Sequence, residues 1–458
     1  MKWYFFTRAY TITCGKMPKI TEKNVARLWM SGRLDNFTDD LGNCIEVVCP
    51  GRVSTGRGCD FQDAVIRVNR QKVVGDIEVH VTSDLWLKHG HYKDSNCNGV
   101  ILHVAMWQKG GLPVRLQDGR VLPTVILSRY IMNVYSGSVR RWEAGGIQPC
   151  SHSNGPGKAI DTILLIEGLR RFEEKAAAFS GLLETAEAGQ VLYKGICRAL
   201  GYARNKAPFE ALAGRLPLGA IYSLAADSLP GKQAVLLGAA GLLPSQMGIN
   251  RAHCCDEYIQ ELESRWSSLR GSVIPGKASD WNLAMVRPAN YPARRIVALS
   301  YLLQRYEKGG LLQGLERLAG SVRSGSAKSL AAGLQVKGVC YLGGQPGPGQ
   351  SNQAPAVLLG KGRAGEIAIN VVLPFFTALA RRNIDTALEN RVLNTYLHYP
   401  ALPANELTRY MSGILLRRRD VKASACLQQG LMRLYHQYCR VKDCDCCPVF
   451  ISRKPARA

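Results

Sequence analysis

The sequence predicts an α/β domain with a mixed sheet at the N-terminal end, followed by a larger, mainly α-helical domain. Two observations support this division. Between residues 45 and 127, short segments rich in β-branched residues are separated by Gly, Asn and Asp turns, which is typical of strands. From about Thr162 onward, apolar residues recur at the spacing of amphipathic helices. We therefore expect the domain boundary in the glycine-containing stretch 147–159.

The first predicted element is a helix that begins near Ile20, because Val25, Leu28 and Trp29 are spaced to share one face. The predicted strands follow at 45–51, 64–68, 75–81, 99–107 and 121–127. These elements define an α/β domain over 20–146. The larger helical domain is expected to cover 160–425, with a flexible, glycine-rich insertion at about 308–366, and residues 426–450 form a cysteine-rich C-terminal segment.

The charge of the chain favours a polyanionic partner. There are 59 Lys and Arg against 35 Asp and Glu, a formal net charge of +24. Such a charge favours nucleic acid through counterion release, although a protein that is merely basic is the alternative. The longest apolar stretches are shorter than about 18 residues. The short apolar patch at the start of the chain is not followed by a small-residue cleavage site. We therefore expect a cytoplasmic protein with no membrane span, whose 15 cysteines are mostly reduced.

The strand predicted at 75–81 carries an unusual polar face. Alternation places Asp76, Glu78 and His80 together, although Asp and Glu are poor strand formers. Glu78 and His80 can therefore address one bound ion, and Asp60 could join them from a neighbouring strand. Carboxylates suit Mg²⁺ or Mn²⁺, and such an ion can activate water and stabilise charge on a phosphate. A solvated or structural polar face is the alternative.

Histidines are concentrated near this strand. Four of the eight, His80, His89, His91 and His103, lie within 24 residues. His103 occupies an apolar segment and is expected to be a hydrogen-bonded core residue. His89 and His91 flank Gly90 and could form only a turn, or they could be the ligands of a different metal-dependent hydrolase.

An Asp at a turn before one strand and a Glu inside the next, as at Asp60 and Glu78, resembles the core of the PD-(D/E)xK nucleases, whose fold is restriction-endonuclease-like. The resemblance implies that both carboxylates hold Mg²⁺ or Mn²⁺ for phosphodiester hydrolysis on DNA or RNA. His80 stands where these nucleases have Lys, and Cys59 where they prefer Pro. His80 would orient or deprotonate water, and Glu22 on the first helix could assist the metal site. Without the Lys, a non-catalytic nucleic-acid-binding protein with this fold is the alternative.

Several stretches resemble a bacterial family of unknown function numbered 2851. They include CDFQDAVIRV, GDIEVHVTSDLWLKHGHYKDS, VILHVAMW, RPANYPARRI and YCRVKDCDCCP. The resemblance runs from about Ile20 to Phe450 and implies a lineage but no function. Because it begins after the first 16 residues, we expect residues 1–19 to be a non-native or disordered extension, with Met17 as the native start.

The C-terminal segment YCRVKDCDCCP places Cys439, Cys444 and Cys447 at intervals of four and two intervening residues, followed by Pro448. Two thiolates at the shorter interval can face one ion, and Cys-Pro endings recur in iron–sulfur loops, so zinc or an iron–sulfur cluster is expected. The segment is similar to the cysteine cluster of RecB-like nucleases, and unliganded thiols are the alternative. The fourth ligand is open among Cys446, Cys426, His436, Cys340 and Cys255.

Basic residues in two places are candidates for contacts with nucleic acid. They are Arg417, Arg418 and Arg419 in the basic C-terminal region, and Arg287, Arg294 and Arg295 around Trp281 and Tyr291. Guanidinium groups mixed with aromatic rings suit phosphates and exposed bases. For the second group the alternative is a structural role, because the Arg-Pro-Ala-Asn sequence at 287–290 is a natural helix boundary.

Overall fold

The structure is a computed structural model that describes residues 20–30, 36–54, 59–111, 113–131, 157–202, 204–225, 227–248, 257–269, 271–283, 286–321, 326–340, 356–416 and 424–451. The chain divides into two compact units. The sheet unit comprises the described residues within 1–154, 410–417 and 435–458, and the helical unit comprises those within 155–409 and 418–434. The predicted order, a mixed-sheet α/β region followed by a mainly helical region, is confirmed.

The sheet unit contains one mixed sheet and a separate two-stranded hairpin. Its strands are β1 (Asn36–Thr38), β2 (Cys44–Cys49), β3 (Arg52–Val53), β4 (Phe61–Val68), β5 (Gln71–Thr82), β6 (Val100–Trp107), β7 (Val114–Arg115), β8 (Val121–Leu122) and β9 (Thr124–Ile126), and its first helices are α1 (Glu22–Met30), α2 (Leu85–Lys88) and α3 (Ser128–Ile131). The main sheet has the order β1-β2-β4-β5-β6-β9, and β3 pairs with β4. Pairing is antiparallel from β1 to β5 and parallel from β5 through β6 to β9.

Each predicted strand overlaps an observed one, but the last is divided in two. Pro123 separates β8, which forms a small hairpin with β7, from β9 at the edge of the main sheet. Proline has no N–H to offer a neighbouring strand, which accounts for the break. β1 and β3 span three and two residues, so they are too short to show an alternating pattern in the sequence.

The core of the sheet unit fixes the direction in which β5 presents its side chains. Val25 and Trp29 of α1 are buried together with Ile77 of β5. Burying side chains of this size stabilises by about 1.5 to 3 kcal/mol each. Because side chains alternate along a strand, the opposite face of β5 carries Glu78 and His80.

The rest of the chain is mainly helical. The helices are α4 (Gly157–Thr185), α5 (Ala188–Leu200), α6 (Lys206–Arg215), α7 (Leu218–Leu224), α8 (Leu229–Ala240), α9 (Glu257–Ser268), α10 (Pro292–Arg305), α11 (Gly310–Ala319), α12 (Ser326–Leu334), α13 (Lys361–Ile367), α14 (Leu373–Arg382), α15 (Thr386–Leu397), α16 (Glu406–Leu415), α17 (Ala425–Leu434) and α18 (Pro448–Ile451). Two short antiparallel strands, β10 (Val336–Gly338) and β11 (Ala356–Leu359), also lie in the helical unit. π-helical turns occupy Ala368–Val372 and Tyr435–Cys439.

The range 308–366, expected to be a flexible insertion, contains α11, α12, β10 and β11 in its described part. Leu311, Leu315 and Leu334 are buried in the core of the helical unit. Helical apolar spacing is thus present between the glycines, whose number had suggested a linker. Residues 341–355 lie outside the described residues, as do the predicted extension 1–19 and most of the predicted boundary 147–159.

One helical run of the described chain, Lys361–Arg382, is long and apolar enough to cross a membrane by length and composition. However, 83% of its most apolar window is buried inside the structure. Phe375 and Phe376 belong to the core of the helical unit. The run therefore has the environment of a core helix.

Candidate active site

The two central strands of the sheet bring buried polar side chains together. Glu78 and His80 project from β5, and the parallel pairing of β6 places His103 beside Glu78. Their exposed fractions are 5% for Glu78, 1% for His80 and 0% for His103. A carboxylate or an imidazole at such depth destabilises the fold unless it gains partners.

His80 lies in the middle of a chain of imidazoles. His80 Nδ1 lies 3.0 Å from His103 Nε2, and His103 Nδ1 lies 3.3 Å from Thr124 Oγ1 of β9. On its other side, His80 Nε2 lies 3.2 Å from His89 Nδ1. His103 is therefore a buried, hydrogen-bonded residue, as its apolar segment predicted. All three parallel strands contribute to this chain.

A tight turn after α2 returns two further histidines to β5. Gly90 has a φ of 75°, a left-handed conformation that favours glycine. Beyond this turn, His91 Nε2 lies 3.2 Å from Glu78 Oε1. Donor atoms of His80, His89 and His91 all lie within 4.8 Å of one another. These three residues, here called the histidine cluster, are close enough together to bind one metal ion.

Asp60 lies beside Glu78, immediately before β4. Its backbone N–H donates to Glu78 Oε2 at 3.1 Å, and its own Oδ2 accepts the N–H of Val79 at 3.0 Å. Burial raises the pKa of Asp60, and the charge of the nearby Glu22 adds to the rise. The structure thus brings Asp60, Glu78 and His80 together, with Glu22 of α1 within electrostatic reach.

Burial shifts the pKa values of the titratable groups in the site. Burial raises the pKa of Glu78 to about 8, and the neighbouring Asp60 carboxylate adds to the rise. Burial also lowers the pKa of His80 to about 2 and that of His103 to about 3. Both imidazoles are therefore neutral at physiological pH. A bound cation would relieve this crowding of lone pairs and carboxylates.

Three pairs of donor atoms have separations close to those of ligands on one ion. A tetrahedral ion with metal–nitrogen distances of about 2.1 Å separates its ligand atoms by about 3.4 Å. The separations are 3.2 Å from His80 Nε2 to His89 Nδ1, 3.2 Å from His91 Nε2 to Glu78 Oε1, and 3.8 Å from His80 Nε2 to Glu78 Oε1. Although His91 Nε2 lies close to Glu78 Oε1, this buried nitrogen has no hydrogen-bond partner in the described part of the chain. The residues therefore fit a metal ion.

Two residues outside any recognisable sequence pattern complete the surroundings. Cys97 Sγ lies 3.5 Å from His91 Nδ1. The Trp86 ring is fully buried, with its centroid 5.1 Å from that of His91 and 5.5 Å from that of His103. Short 3-10 turns connect these positions, so neither helical nor strand periodicity could have revealed them.

Among the residues that the structure describes, the C-terminal cysteines do not form a donor group comparable to the histidine cluster. Cys447 is buried and Cys444 is exposed, and the Cys447 N–H donates to the Cys444 carbonyl oxygen at 3.1 Å. Within the described ranges, the histidine cluster is the group of three donors that lies close enough for one ion. A zinc or iron–sulfur site at Cys439, Cys444 and Cys447 stays a prediction. Cys255, one candidate for its fourth ligand, lies outside the described residues.

Arg295 has a structural environment. Its guanidinium donates to the carbonyl oxygen of Leu358 at 2.6 Å, to the Tyr202 hydroxyl at 2.8 Å and to Asn290 Oδ1 at 2.9 Å. The side chain is buried among acceptors of the helical unit, which favours the structural role that the sequence offered as the alternative. Of the other candidates, Arg287 is exposed, Arg294 donates to the Val357 carbonyl oxygen, and Arg417, Arg418 and Arg419 lie outside the described residues.

The mixed sheet, the carboxylates of Asp60 and Glu78 and the histidine cluster define an α/β region with a candidate metal site. The family described as "Protein of unknown function (DUF2851)" matches residues 22–403, and the chain belongs to this family. Comparisons with curated proteins and with solved structures found no match. The family match includes every residue of the candidate site and confirms the resemblance to this family over residues 22–403, so the cysteine-rich stretch YCRVKDCDCCP lies beyond the match.

Proposed function

We propose that the protein hydrolyses phosphodiester bonds in nucleic acid with a bound divalent metal ion. The observation that carries this proposal is the convergence of Asp60 and Glu78 with the histidine cluster at one site. The net charge of +24 supports a polyanionic substrate. We also propose a restriction-endonuclease-like arrangement, because Asp60 precedes β4 and Glu78 lies inside β5, which pairs antiparallel with β4. A cytoplasmic location belongs to the same proposal.

The roles of the residues follow from their contacts. A bound divalent ion supplies activated water and stabilises charge on the phosphate. Glu78 would bind the ion through Oε1, while its Oε2 is held by the Asp60 N–H. Asp60, held at Oδ2 by the Val79 N–H, would accept the proton of the attacking water through its other oxygen. Both ring nitrogens of His80 face other imidazoles, which favours a role as ligand over the expected role as base.

The test is cleavage of labelled single-stranded DNA, double-stranded DNA and RNA by the full-length protein with Mg²⁺, Mn²⁺ or Zn²⁺. Asp60→Asn and Glu78→Gln should each lower cleavage by about 100-fold or more, because stabilisation of the transition state is lost. Affinity for nucleic acid should survive both changes. Glu46→Gln is the matched control, since Glu46 is a half-exposed carboxylate of the same sheet paired with Arg67. Cleavage that persists in Glu78→Gln would count against this site.

A non-catalytic nucleic-acid-binding protein is the second candidate. Two observations favour it, the net charge of +24 and His80 at the position where the PD-(D/E)xK nucleases carry Lys. Such a protein needs only its charge, so its affinity should fall steeply with salt and should not respond to Glu78→Gln. Absence of cleavage with every metal and substrate, together with this salt dependence, would favour the binding protein.

A further inference from the structure

We propose that the histidine cluster and Glu78 form a site selective for a transition-metal ion of the Zn²⁺ type rather than for Mg²⁺. The inference rests on the metal site of the proposed function, but it does not require cleavage. Donor atoms of the three imidazoles lie within 4.8 Å of one another, and Glu78 Oε1 lies 3.2 Å from His91 Nε2 and 3.8 Å from His80 Nε2. Imidazole suits Zn²⁺ and its neighbours in the first transition row, whereas Mg²⁺ prefers an octahedron of oxygen ligands and retains several waters.

The contacts behind His80 select the ring nitrogen that faces the site. His80 Nδ1 faces His103, and His103 Nδ1 faces Thr124. When His80 donates its Nδ1 proton to His103, and His103 donates its own Nδ1 proton to the Thr124 hydroxyl oxygen, the lone pair of His80 lies at Nε2. A histidine that binds metal usually donates its other N–H in this way. The hydrogen-bonded series of His80, His103 and Thr124 therefore leaves His80 Nε2 able to bind a metal ion.

Cys97 gives His91 an equivalent support. Its sulfur lies 3.5 Å from His91 Nδ1, so a proton on Nδ1 can be donated to it. The lone pair of His91 then lies at Nε2, the buried atom that has no hydrogen-bond partner in the described structure. His80 and His91 thus each have a partner for Nδ1, which leaves Nε2 of each free to bind the ion.

His89 closes the group from the exposed side. Its Nδ1 lies 3.2 Å from His80 Nε2, and its side chain is solvent-exposed. That separation matches two ligands of one ion at metal–nitrogen distances of about 2.1 Å. Because His89 is exposed, replacing it should remove one ligand while the buried packing of the sheet unit survives.

The test uses the full-length protein with Cys439, Cys444 and Cys447 each replaced by Ser, so that the predicted C-terminal site binds no metal. It is freed of metal by a chelator under reducing conditions and titrated with Co²⁺ as a spectroscopic substitute. We expect one equivalent to bind with the visible bands of a four- or five-coordinate ion, Zn²⁺ to displace it, and a large excess of Mg²⁺ to leave it in place. His89→Ala should weaken Co²⁺ binding by at least about 100-fold. His398→Ala, at an exposed histidine of the helical unit, is the matched control and should leave the affinity unchanged.

Three results obtained with bound Co²⁺ would overturn the proposal. They are Co²⁺ affinity that is unchanged in His89→Ala, a single bound Co²⁺ with a sulfur-to-cobalt band, and Mg²⁺ that competes on equal terms. A folded protein that binds no Co²⁺ would overturn it as well. In contrast, a protein that binds Co²⁺ through His89 but cleaves no nucleic acid supports this site and counts against the proposed hydrolysis alone.

Discussion

Asp63 links the C-terminal segment to the strands that carry the candidate site. Its carboxylate accepts hydrogen bonds from the Tyr435 hydroxyl at 2.7 Å, from Arg440 Nε at 2.6 Å and from Arg52 Nε at 3.3 Å. Its φ of 56° coincides with a bulge in β4, and its N–H donates to Asp76 of β5 at 3.2 Å. The hydroxyl of Tyr435 should therefore stabilise the sheet unit.

Tyr435→Phe removes this hydroxyl and keeps the packing of the ring. A hydrogen bond to a charged group contributes about 1.5 to 3 kcal/mol. Two charged donors remain on Asp63, so its carboxylate is not left unpaired. We therefore expect the free energy of unfolding of the sheet unit to fall by about 2 kcal/mol. Tyr92→Phe, at an exposed tyrosine of the same unit, is the matched control and should have almost no effect.

Hydrogen exchange followed by mass spectrometry measures this loss, because peptides from β4 and β5 report the opening of the sheet unit separately from that of the helical unit. A double-mutant cycle with Asp63→Asn should give a coupling free energy of about 1 to 2 kcal/mol. Unchanged protection of β4 in Tyr435→Phe, or strictly additive losses in the cycle, would refute the reasoning.

The remaining predictions concern the metal site and the helical unit. Cys97→Ala should weaken Co²⁺ binding by about 10- to 100-fold, because His91 loses the partner of its Nδ1. Cys97→Ser should retain more of the affinity, and equal Co²⁺ affinities of the two variants in a titration would contradict this. Lys232 is fully buried, and its Nζ lies 2.6 Å from Glu307 Oε1. Glu307→Ala should therefore lower the free energy of unfolding, measured by urea denaturation, by about 3 kcal/mol. A loss below about 1 kcal/mol would contradict a stabilising role of this ion pair. Arg295 is buried, so Arg295→Ala should lower the melting temperature and leave the salt dependence of nucleic-acid binding unchanged. The reverse pattern in thermal unfolding and binding titrations would favour Arg295 as a contact residue for nucleic acid.

Strand alternation predicted the part of the site that lies on β5. A period of two places Glu78 and His80 on one face, and the apolar face beneath α1 makes that orientation the stable one. Asp60 was predicted to approach from a neighbouring strand, and it does so because β4 and β5 pair antiparallel. The larger division into a sheet region and a helical region followed from the same periodicities.

The rest of the site depends on features that periodicity does not report. His89 and His91 return to β5 because Gly90 adopts a left-handed conformation and Trp86 packs against the His91 ring. The C-terminal segment joins the sheet unit through contacts such as that between Asp63 and Tyr435, which are 372 residues apart. Local sequence patterns cannot show either relation, because both are set by tertiary packing.

X-ray absorption spectroscopy of the zinc-loaded full-length protein is the most direct test of the metal site, with Cys439, Cys444 and Cys447 each replaced by Ser so that zinc at the predicted C-terminal site adds no sulfur ligand. We predict four nitrogen or oxygen ligands at about 2.0 to 2.1 Å, with outer-sphere scattering from three imidazoles that falls to two in His89→Ala. A first shell that contains sulfur at about 2.3 Å, or a folded protein that retains no zinc after excess metal is removed, would contradict the assignment of His80, His89, His91 and Glu78 as the ligands.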